Sequence, residues 1–298
     1  MLFIVTLLVV LAGCGRLAAR GDINDSIQVG GIKRTFHLHV PSTYTTNQPT
    51  SLVLAFHGGG GSGAGMPGLT GLDAVADENK FIAVYPDGIE KHWNDGRVEN
   101  PQVDDVAFIS ALIDTLAQQY NIDPHRVYAM GISNGAIFSN KLACALSDKI
   151  AAIGAVAGTL AANDDAHCTP KEIVSVIAFH GTADPLVPFD GGAVKGGLAG
   201  DVLGARETAA HWASLNGCAA NPSVSDMPDA DPRDGTTAQR YEYGGCRNGS
   251  AVTLYVIRNG GHTWPGGLQY LPAALIGKTS RDVNATQTMW QFFQQHSK

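Results

Sequence analysis

Residues 126–142 constrain the fold more than any other part of the sequence. The segment 126–130 is short, apolar and partly β-branched or aromatic, which is typical of a buried β-strand. From Ala136 onward, apolar residues recur at the spacing of a helix that packs on a sheet. Only residues 131–135 turn the chain from strand to helix, and glycines at both flanks remove Cβ atoms that would collide in so sharp a turn.

The residue at the apex of this turn is Ser133, within the pattern Gly-x-Ser-x-Gly. Between a strand and a helix, this pattern is typical of a nucleophile elbow, which raises a serine hydroxyl above a sheet at a helix N-terminus. The backbone N–H of Asn134 would then point to where an oxyanion forms. The pentapeptide can also arise by chance in a chain with 36 glycines, so a catalytic serine requires partners elsewhere in the sequence.

The remaining pattern predicts the α/β class, with a mostly parallel sheet and helices on both faces. Continuous apolar runs indicate buried strands, at residues 51–56, 81–85, 152–157 and 173–179. Residues 104–120 form the clearest amphipathic helix. Residues 219–237 are rich in Pro and Asp and are expected to be an exposed insertion, followed by strands at 239–243 and 251–257. Residues 27–298 are therefore expected to form one domain.

The first residues resemble an export signal. Residues 1–12 are almost wholly apolar, too few to span a bilayer but suited to a signal-peptide core. The run ends in Leu-Ala-Gly-Cys at Cys14, as in bacterial lipoprotein signals, although no Lys or Arg precedes it. We therefore expect a lipoprotein-type signal peptide at residues 1–13, a lipid on Cys14, a polar tether at 14–26 and a location outside the cell or in its envelope. A buried N-terminal helix is the alternative.

The cysteines agree with export. If Cys14 carries a lipid, four of the five cysteines remain, and four cysteines allow three pairings. No Cys-x-x-Cys pair is present, which argues against a zinc site. In an exported protein two disulfides are the natural use. The positions favour the pairs Cys144–Cys168 and Cys218–Cys246, with buried free thiols as the alternative.

A glycine run, residues 57–61, directly follows the strand at 51–56. It matches the His-Gly-Gly-Gly type of loop that supplies an oxyanion-hole donor, here from Gly58 or Gly59. A flexible turn is the alternative, whereas a Walker loop is excluded because no Gly-Lys-Ser/Thr follows. His57 is expected to brace the loop without taking part in chemistry.

Two further residues complete a catalytic constellation in chain order. Asp184 lies just past the strand at 173–179, where parallel sheets place active-site residues, although Asp before Pro is also a common turn starter. His262 lies in a glycine-flanked loop after the strand at 251–257. The order Ser133, Asp184, His262 is that of α/β-hydrolases. It predicts a serine nucleophile, a histidine base and an aspartate that holds the imidazole.

Two tryptophans are candidate substrate contacts. Trp93 lies in a polar loop, where a lone Trp more often packs on its own domain. Trp264 follows His262 by two residues and would either brace the histidine loop or face the cleft and stack on an acyl group. The brace is the favoured interpretation.

At these residues the chain resembles the secreted polyhydroxybutyrate depolymerase and feruloyl esterase-like proteins of bacteria, including their lipoprotein members. The resemblance runs from about residue 30 to 298, and its matching stretches are residues 57–61, 84–88, 103–106, 131–135, 180–188, 216–218 and 261–267. It implies an α/β-hydrolase fold without a large lid. It also implies hydrolysis of a carboxylic ester, with hydroxyalkanoate, hydroxycinnamate-polysaccharide and small acyl esters all open.

The expected protein is a monomeric esterase with no cofactor and no metal. The formal net charge of −7 argues against nucleic acid as a partner, and a lipid anchor would be its one link to a membrane. The alternative in another class is a non-catalytic surface lipoprotein that binds a glycan or polyester through Trp93 and Trp264. A serine peptidase is disfavoured because no lid or propeller domain is present.

Overall fold

A ten-stranded sheet runs through the protein. The computed structural model describes residues 19–98, 100, 102–196 and 199–298, so Cys14 and the expected signal peptide lie outside the described residues. The strands of the sheet are β1 (Gly21–Val29), β2 (Ile32–Val40), β3 (Thr50–Phe56), β4 (Ile82–Pro86), β5 (Ile122–Ile132), β6 (Ala152–Val156), β7 (Ser175–Gly181), β10 (Ser223–Asp226), β11 (Thr237–Tyr243) and β12 (Val252–Arg258). A separate hairpin pairs β8 (Gly192–Ala193) with β9 (Asp201–Val202).

The order of strands across the sheet is β1-β2-β4-β3-β5-β6-β7-β12-β11-β10. The six strands from β4 to β12 in this order are parallel to their neighbours, whereas the two strands at each edge pair antiparallel. The mostly parallel sheet predicted from the sequence is therefore confirmed. Because the central strands are parallel, the loops after their carboxyl ends meet at one edge of the sheet.

Helices cover both faces of this sheet. They are α1 (Met66–Thr70), α2 (Leu72–Asn79), α3 (Asp105–Gln119), α4 (Asn134–Ala145), α5 (Ala205–Leu215), α6 (Ala273–Ile276) and α7 (Ala285–Phe293). Two successive residues of β3 show the two faces. Leu54 packs in one core with α3, α4 and α5, whereas Val53 packs in the other core with α2 and α7. Both side chains are fully buried, as expected of a central strand covered on both faces.

Two sequence expectations need correction. Residues 21–26, which were expected to belong to the tether at 14–26, instead form part of β1, which pairs along its whole length with β2 as the edge of the sheet. The insertion expected at residues 219–237 contains the exposed edge strand β10, which pairs with β11. Strand β10 is exposed along its whole length, and β1 has only three apolar residues among nine, with Asp25 at the position between Ile23 and Ile27, so the alternation of apolar and polar residues is interrupted.

The two predicted disulfides are confirmed. Cys144–Cys168 joins α4 to the loop after β6, and Cys218–Cys246 joins the segment after α5 to the connection between β11 and β12. In the described part of the chain, none of the helices is long and apolar enough to span a bilayer.

Candidate active site

The predicted site residues lie at the carboxyl edge of the sheet. The glycine loop follows β3, Ser133 follows β5, Asp184 lies three residues beyond β7, and His262 lies just beyond β12. These strands belong to the parallel centre of the sheet, so residues far apart in sequence converge on one region. Ser133 and His262 line the same cavity, together with Gly58, Gly59 and Asn134.

Ser133 has the backbone geometry of a sharp strand-to-helix turn. Its φ is 57° and its ψ is −125°, a conformation that is strained for a residue with a side chain. The Ser133 N–H donates to Val156 O at 2.9 Å, and the Ser133 carbonyl accepts from the Ala136 and Ile137 N–H groups at 2.9 Å each. The serine is therefore held between the end of β6 and the first turn of α4.

Close backbone approach explains the glycines of this turn. A Cβ atom on Gly131 would lie 2.5 Å from the carbonyl of Gly135, and one on Gly135 would collide with the backbone of Phe56 and His57. Gly158 meets the same limit, because its Cβ would lie 2.5 Å from Ser133 O. The strand, turn and helix thus fit together only with glycine at these positions, as the sequence predicts.

Asp184 and His262 are joined by a hydrogen bond. His262 Nδ1 lies 2.8 Å from Asp184 Oδ2, and both side chains are buried. The other carboxylate oxygen, Oδ1, accepts from the N–H groups of Leu186 at 2.8 Å and Val187 at 2.9 Å. Oδ2 of Asp184 faces Nδ1 as a hydrogen-bond acceptor, which places the ring proton of His262 on Nδ1. Nε2 of His262 is then the acceptor nitrogen.

A second buried histidine supports the loop that carries Asp184. His180 Nε2 donates to Val187 O at 3.0 Å and lies 3.7 Å from Asp184 Oδ2. Burial lowers the pKa of His180, so the ring is neutral and Nε2 carries its proton. His180 therefore fixes the turn from Asp184 to Val187 without adding charge next to the carboxylate.

The loop that carries His262 is held on both sides. The His262 backbone N–H donates to Ile276 O at 2.6 Å, and the Tyr270 hydroxyl donates to the carbonyl of His262 at 2.9 Å. Burial raises the pKa of Tyr270 to about 12, so this hydroxyl keeps its proton over the physiological range. Gly261 contacts the backbone of Ile276 and Gly277 so closely that no side chain would fit there.

The glycine loop is held by His57, as expected. His57 Nε2 accepts from the Gly88 N–H at 3.0 Å, so the ring proton is on Nδ1, which donates to Gly58 O at 2.8 Å. Gly58 O also accepts from the Gly61 N–H at 3.0 Å. Because the N–H of a trans peptide points opposite to its carbonyl, the Gly59 N–H points away from the His57 ring. Burial lowers the pKa of His57, which agrees with a neutral ring.

Both tryptophans predicted as substrate contacts are fully buried, so neither lines the cavity and that prediction is wrong. Trp93 stacks on Phe138 with ring centroids 5.0 Å apart, and its indole N–H donates to His57 O at 3.0 Å. Trp264 donates its indole N–H to Thr286 Oγ1 at 2.9 Å. Trp264 is therefore packed inside the protein next to His262, as the brace interpretation requires, and the surface-binding alternative loses both of its contact residues.

The walls of the cavity come from residues that the sequence did not reveal. The cavity has a volume of about 640 Å³, within the usual range for small-molecule sites. Its apolar walls are mainly aliphatic, with the ring of Tyr270 among them, and include Met66, Leu69, Ile137, Leu186, Leu268 and Leu271. Leu268 is 58% exposed and Leu271 is 46% exposed, which is unusual for leucine. In the sequence, the only indication of this cavity wall is the pair of leucines within a Gly- and Pro-rich loop.

One group of side chains in the described residues could approach a metal ion together. Asp22, His39 and Asp73 have ligand atoms within 4.8 Å of one another. They do not line the cavity, and the ring nitrogens of His39 already contact Asp22 at 2.7 Å and Asp77 at 3.1 Å. This surface cluster is therefore separate from the candidate active site.

The neutral state of His180 predicts a dependence of stability on pH. The unfolded chain binds a proton at this histidine near pH 6.5, whereas the folded chain binds it only at lower pH, because burial lowers the pKa. The free energy of unfolding should therefore fall as pH drops below about 6.5, by up to about 1.4 kcal/mol per pH unit for this residue. His180→Gln keeps an N–H that can donate to Val187 O but cannot titrate. Urea unfolding between pH 8 and 5 should show a shallower loss for the variant, and equal slopes would contradict the assignment.

Comparison with known proteins places these features in a family. Residues 95–197 match the family model described as phospholipase/carboxylesterase. The chain is 30% identical over 279 residues to the putative esterase NocK of Nocardia uniformis subsp. tsuyamanensis, covering 89% of this chain and 80% of NocK. It is 27% identical over 287 residues to a probable feruloyl esterase C of Aspergillus niger, covering 94% of this chain and 90% of that protein.

A solved structure agrees at the level of the fold. The acetyl xylan esterase from Aspergillus awamori superposes with a TM-score of 0.63 over 92% of this chain and 99% of that one, at 13% sequence identity. Together with the parallel sheet and the elbow turn at Ser133, this similarity identifies the α/β-hydrolase fold. The chain therefore belongs to the α/β-hydrolase family of esterases that includes NocK and the feruloyl esterases, and the protein is an esterase.

Proposed function

We propose that the protein is an exported serine carboxylic ester hydrolase in which Ser133, His262 and Asp184 form a catalytic triad. The observation that carries the proposal is the hydrogen bond from His262 Nδ1 to Asp184 Oδ2, in a loop that lines the same cavity as Ser133 at its elbow. Buried and multiply bonded, Asp184 orients an imidazole whose free nitrogen is available as a base.

The reaction follows from this arrangement in two halves. His262 Nε2 takes the Ser133 proton as Oγ attacks the ester carbonyl, and Asp184 stabilises the resulting imidazolium. The tetrahedral intermediate collapses when the imidazolium returns the proton to the oxygen of the leaving alcohol. Water then attacks the acyl-enzyme, with His262 again as the base, which releases the acid and restores the serine.

The negative charge on the tetrahedral intermediate is stabilised by backbone N–H groups. Asn134 is the first residue of α4, where N–H groups have no partner within the helix and the helix dipole favours an anion. The Gly59 N–H is the second donor, because the bonds to Gly58 O turn it away from His57. Gly58 packs against Ser133, where its missing side chain leaves room for the carbonyl of the substrate.

The substrate we propose is an ester of a hydroxycinnamic acid. The cavity of about 640 Å³ has room for such an acyl group, and its walls are mostly aliphatic. The relatives named feruloyl esterase favour this class over hydroxyalkanoates. The kcat/KM values for methyl ferulate, a naphthyl acetate and a hydroxybutyrate oligomer, measured under the same conditions, distinguish the three substrate classes. A higher kcat/KM on the acetate or the oligomer than on methyl ferulate would reject the assignment.

Export is part of the same proposal. Two disulfides are natural in an oxidising compartment, and the cysteine at the end of the apolar leader is the candidate for lipid attachment. Incorporation of labelled palmitate in cells should be lost in Cys14→Ser. Equal labelling of both forms, or a mature N-terminus away from Cys14, would reject the lipid.

The first test of the mechanism is Ser133→Ala. The variant keeps the backbone of the turn and removes the nucleophile, so kcat/KM for ester hydrolysis should fall by about 10³-fold or more. Circular dichroism and the melting temperature control for folding. Near-normal turnover by a folded Ser133→Ala protein would exclude Ser133 as the nucleophile.

The brace role of Trp264 makes a different prediction. Trp264→Ala removes packing beneath the His262 loop, so kcat should fall by a similar factor for every ester, small activated ones included. The variant should also lose about 3–5 kcal/mol of unfolding free energy, as is usual for a buried Trp. Trp264→Phe keeps one aromatic ring in place and loses the rest of the indole together with the bond to Thr286, so its loss of stability should be smaller than that of Trp264→Ala. A change limited to KM for bulky acyl groups would show a substrate contact instead.

A further inference from the structure

A buried ion pair lies beside the candidate oxyanion hole. Asp95 and Arg97 are 1% and 4% exposed, and Arg97 lines the cavity. Arg97 Nε lies 2.9 Å and Nη2 lies 2.8 Å from Asp95 Oδ2, and the Arg97 N–H donates to Oδ1 at 3.1 Å. Burying an ion pair costs desolvation energy and seldom adds net stability, so its position next to the site calls for another explanation.

The same carboxylate holds the side chain of Asn134. Asn134 Nδ2 donates to Asp95 Oδ2 at 2.6 Å and to Trp93 O at 3.0 Å, and Asn134 Oδ1 accepts from the Trp93 N–H at 2.8 Å. The carboxamide therefore has one orientation, with its oxygen toward a donor and its nitrogen toward two acceptors. Because the Asn134 side chain is fixed at both ends, its backbone N–H at the start of α4 is fixed as well.

The segment from Trp93 to Arg97 also reaches the other half of the oxyanion hole. The Trp93 indole N–H donates to His57 O, one residue before Gly58, and the Trp93 ring stacks on Phe138 of α4. One segment thus contacts both the glycine loop and the elbow helix. The relative position of the two proposed N–H donors depends on it.

We propose that Asp95 is a positioning residue that sets the oxyanion hole through Asn134, with Arg97 balancing its charge. The inference rests on the proposed function of Ser133. An acid is required because three donor atoms, from Asn134 and Arg97, converge on the single oxygen Oδ2. An asparagine at 95 could not satisfy all four donors, because its NH₂ group would oppose either the three donors at Oδ2 or the Arg97 N–H at Oδ1.

The direct test is Asp95→Asn in the full chain. Since the oxyanion forms in both acylation and deacylation, kcat should fall about 10- to 100-fold for activated and unactivated esters alike, with KM nearly unchanged. The rate of inactivation by an aryl phosphonate should fall by a similar factor, while the final stoichiometry stays one per chain. Unchanged kcat and phosphonylation rate in a folded variant would overturn the proposal.

A second buried ion pair provides the matched control. Arg34 and Asp105 are 3% and 1% exposed and joined at 2.6 Å, and Asp105 Oδ2 accepts from the Asn94 N–H at 2.7 Å. Asp105→Asn therefore breaks a comparable pair that contacts the segment from Trp93 to Arg97 through the Asn94 N–H, without touching Asn134. It should lower the melting temperature as Asp95→Asn does and leave kcat within about twofold of wild type. An equal loss of kcat in both variants would contradict the proposal, because it would show that any buried ion pair in contact with the segment from Trp93 to Arg97 supports activity.

Asn134→Ala tests the same contact from its other partner where Asp95→Asn folds poorly, and a double-mutant cycle with the two variants tests whether Asp95 acts through Asn134. Asn134→Ala keeps the backbone N–H and removes the contact with Asp95. If Asp95 acts through Asn134, the double variant should be no slower than the slower single variant. Multiplicative losses would overturn the proposal. Phosphonate labelling of Ser133 in the wild-type protein separates the proposed function from the role of Asp95. If Ser133 is not labelled, the proposed function itself is rejected. If Ser133 is labelled but the variants react at the wild-type rate, only the role of Asp95 is rejected.

Discussion

The backbone at Ser133 is the constraint on which the site depends. A non-glycine residue at a φ of 57° and a ψ of −125° costs on the order of 1–3 kcal/mol, so the surroundings must hold it. They do so through close backbone contacts at Gly131, Gly135 and Gly158, each of which excludes a side chain. Strand β5, strand β6 and helix α4 can meet only in this arrangement. The position of the serine hydroxyl is therefore a consequence of how the central sheet and its helices pack.

Around the serine, buried polar groups stay in defined protonation states. His57 and His180 are neutral because burial disfavours their charged forms, and each uses ring nitrogens to hold a loop. Asp184 accepts hydrogen bonds from three donors, which are the N–H groups of Leu186 and Val187 and Nδ1 of His262. The site thus contains two neutral histidines, His57 and His180, whose rings bond to backbone groups, and a third histidine, His262, whose ring bonds to a carboxylate. Only the last arrangement stabilises a transient imidazolium.

Much of the fold and of the site could be predicted from the sequence because the signals were local. Gly-x-Ser-x-Gly between a strand and a helix and the glycine run after β3 lie within short segments, and Asp184 and His262 each follow a recognisable strand, so their order along the chain with Ser133 was visible. Strand β10 was missed because it is a short exposed edge strand, and β1 was missed because Asp25 interrupts the alternation of Ile23, Ile27 and Val29 on its partly buried face. The burial of Trp93 and Trp264 could not be predicted from residues near them in sequence. Trp93 packs on Phe138 and Trp264 bonds to Thr286, and both partners are distant in the chain. Asp95 was missed for the same reason: its partner Asn134 is 39 positions away.

The central claim is that the elbow presents Ser133 to a carbonyl whose oxygen meets the N–H groups of Gly59 and Asn134. A crystal structure of the protein after reaction with an aryl phosphonate tests it most directly, because the adduct mimics the tetrahedral intermediate. The account predicts a bond from phosphorus to Ser133 Oγ, with a phosphoryl oxygen about 2.7–3.1 Å from both backbone nitrogens. A phosphoryl oxygen turned away from these nitrogens, or an adduct on any other residue, would contradict it.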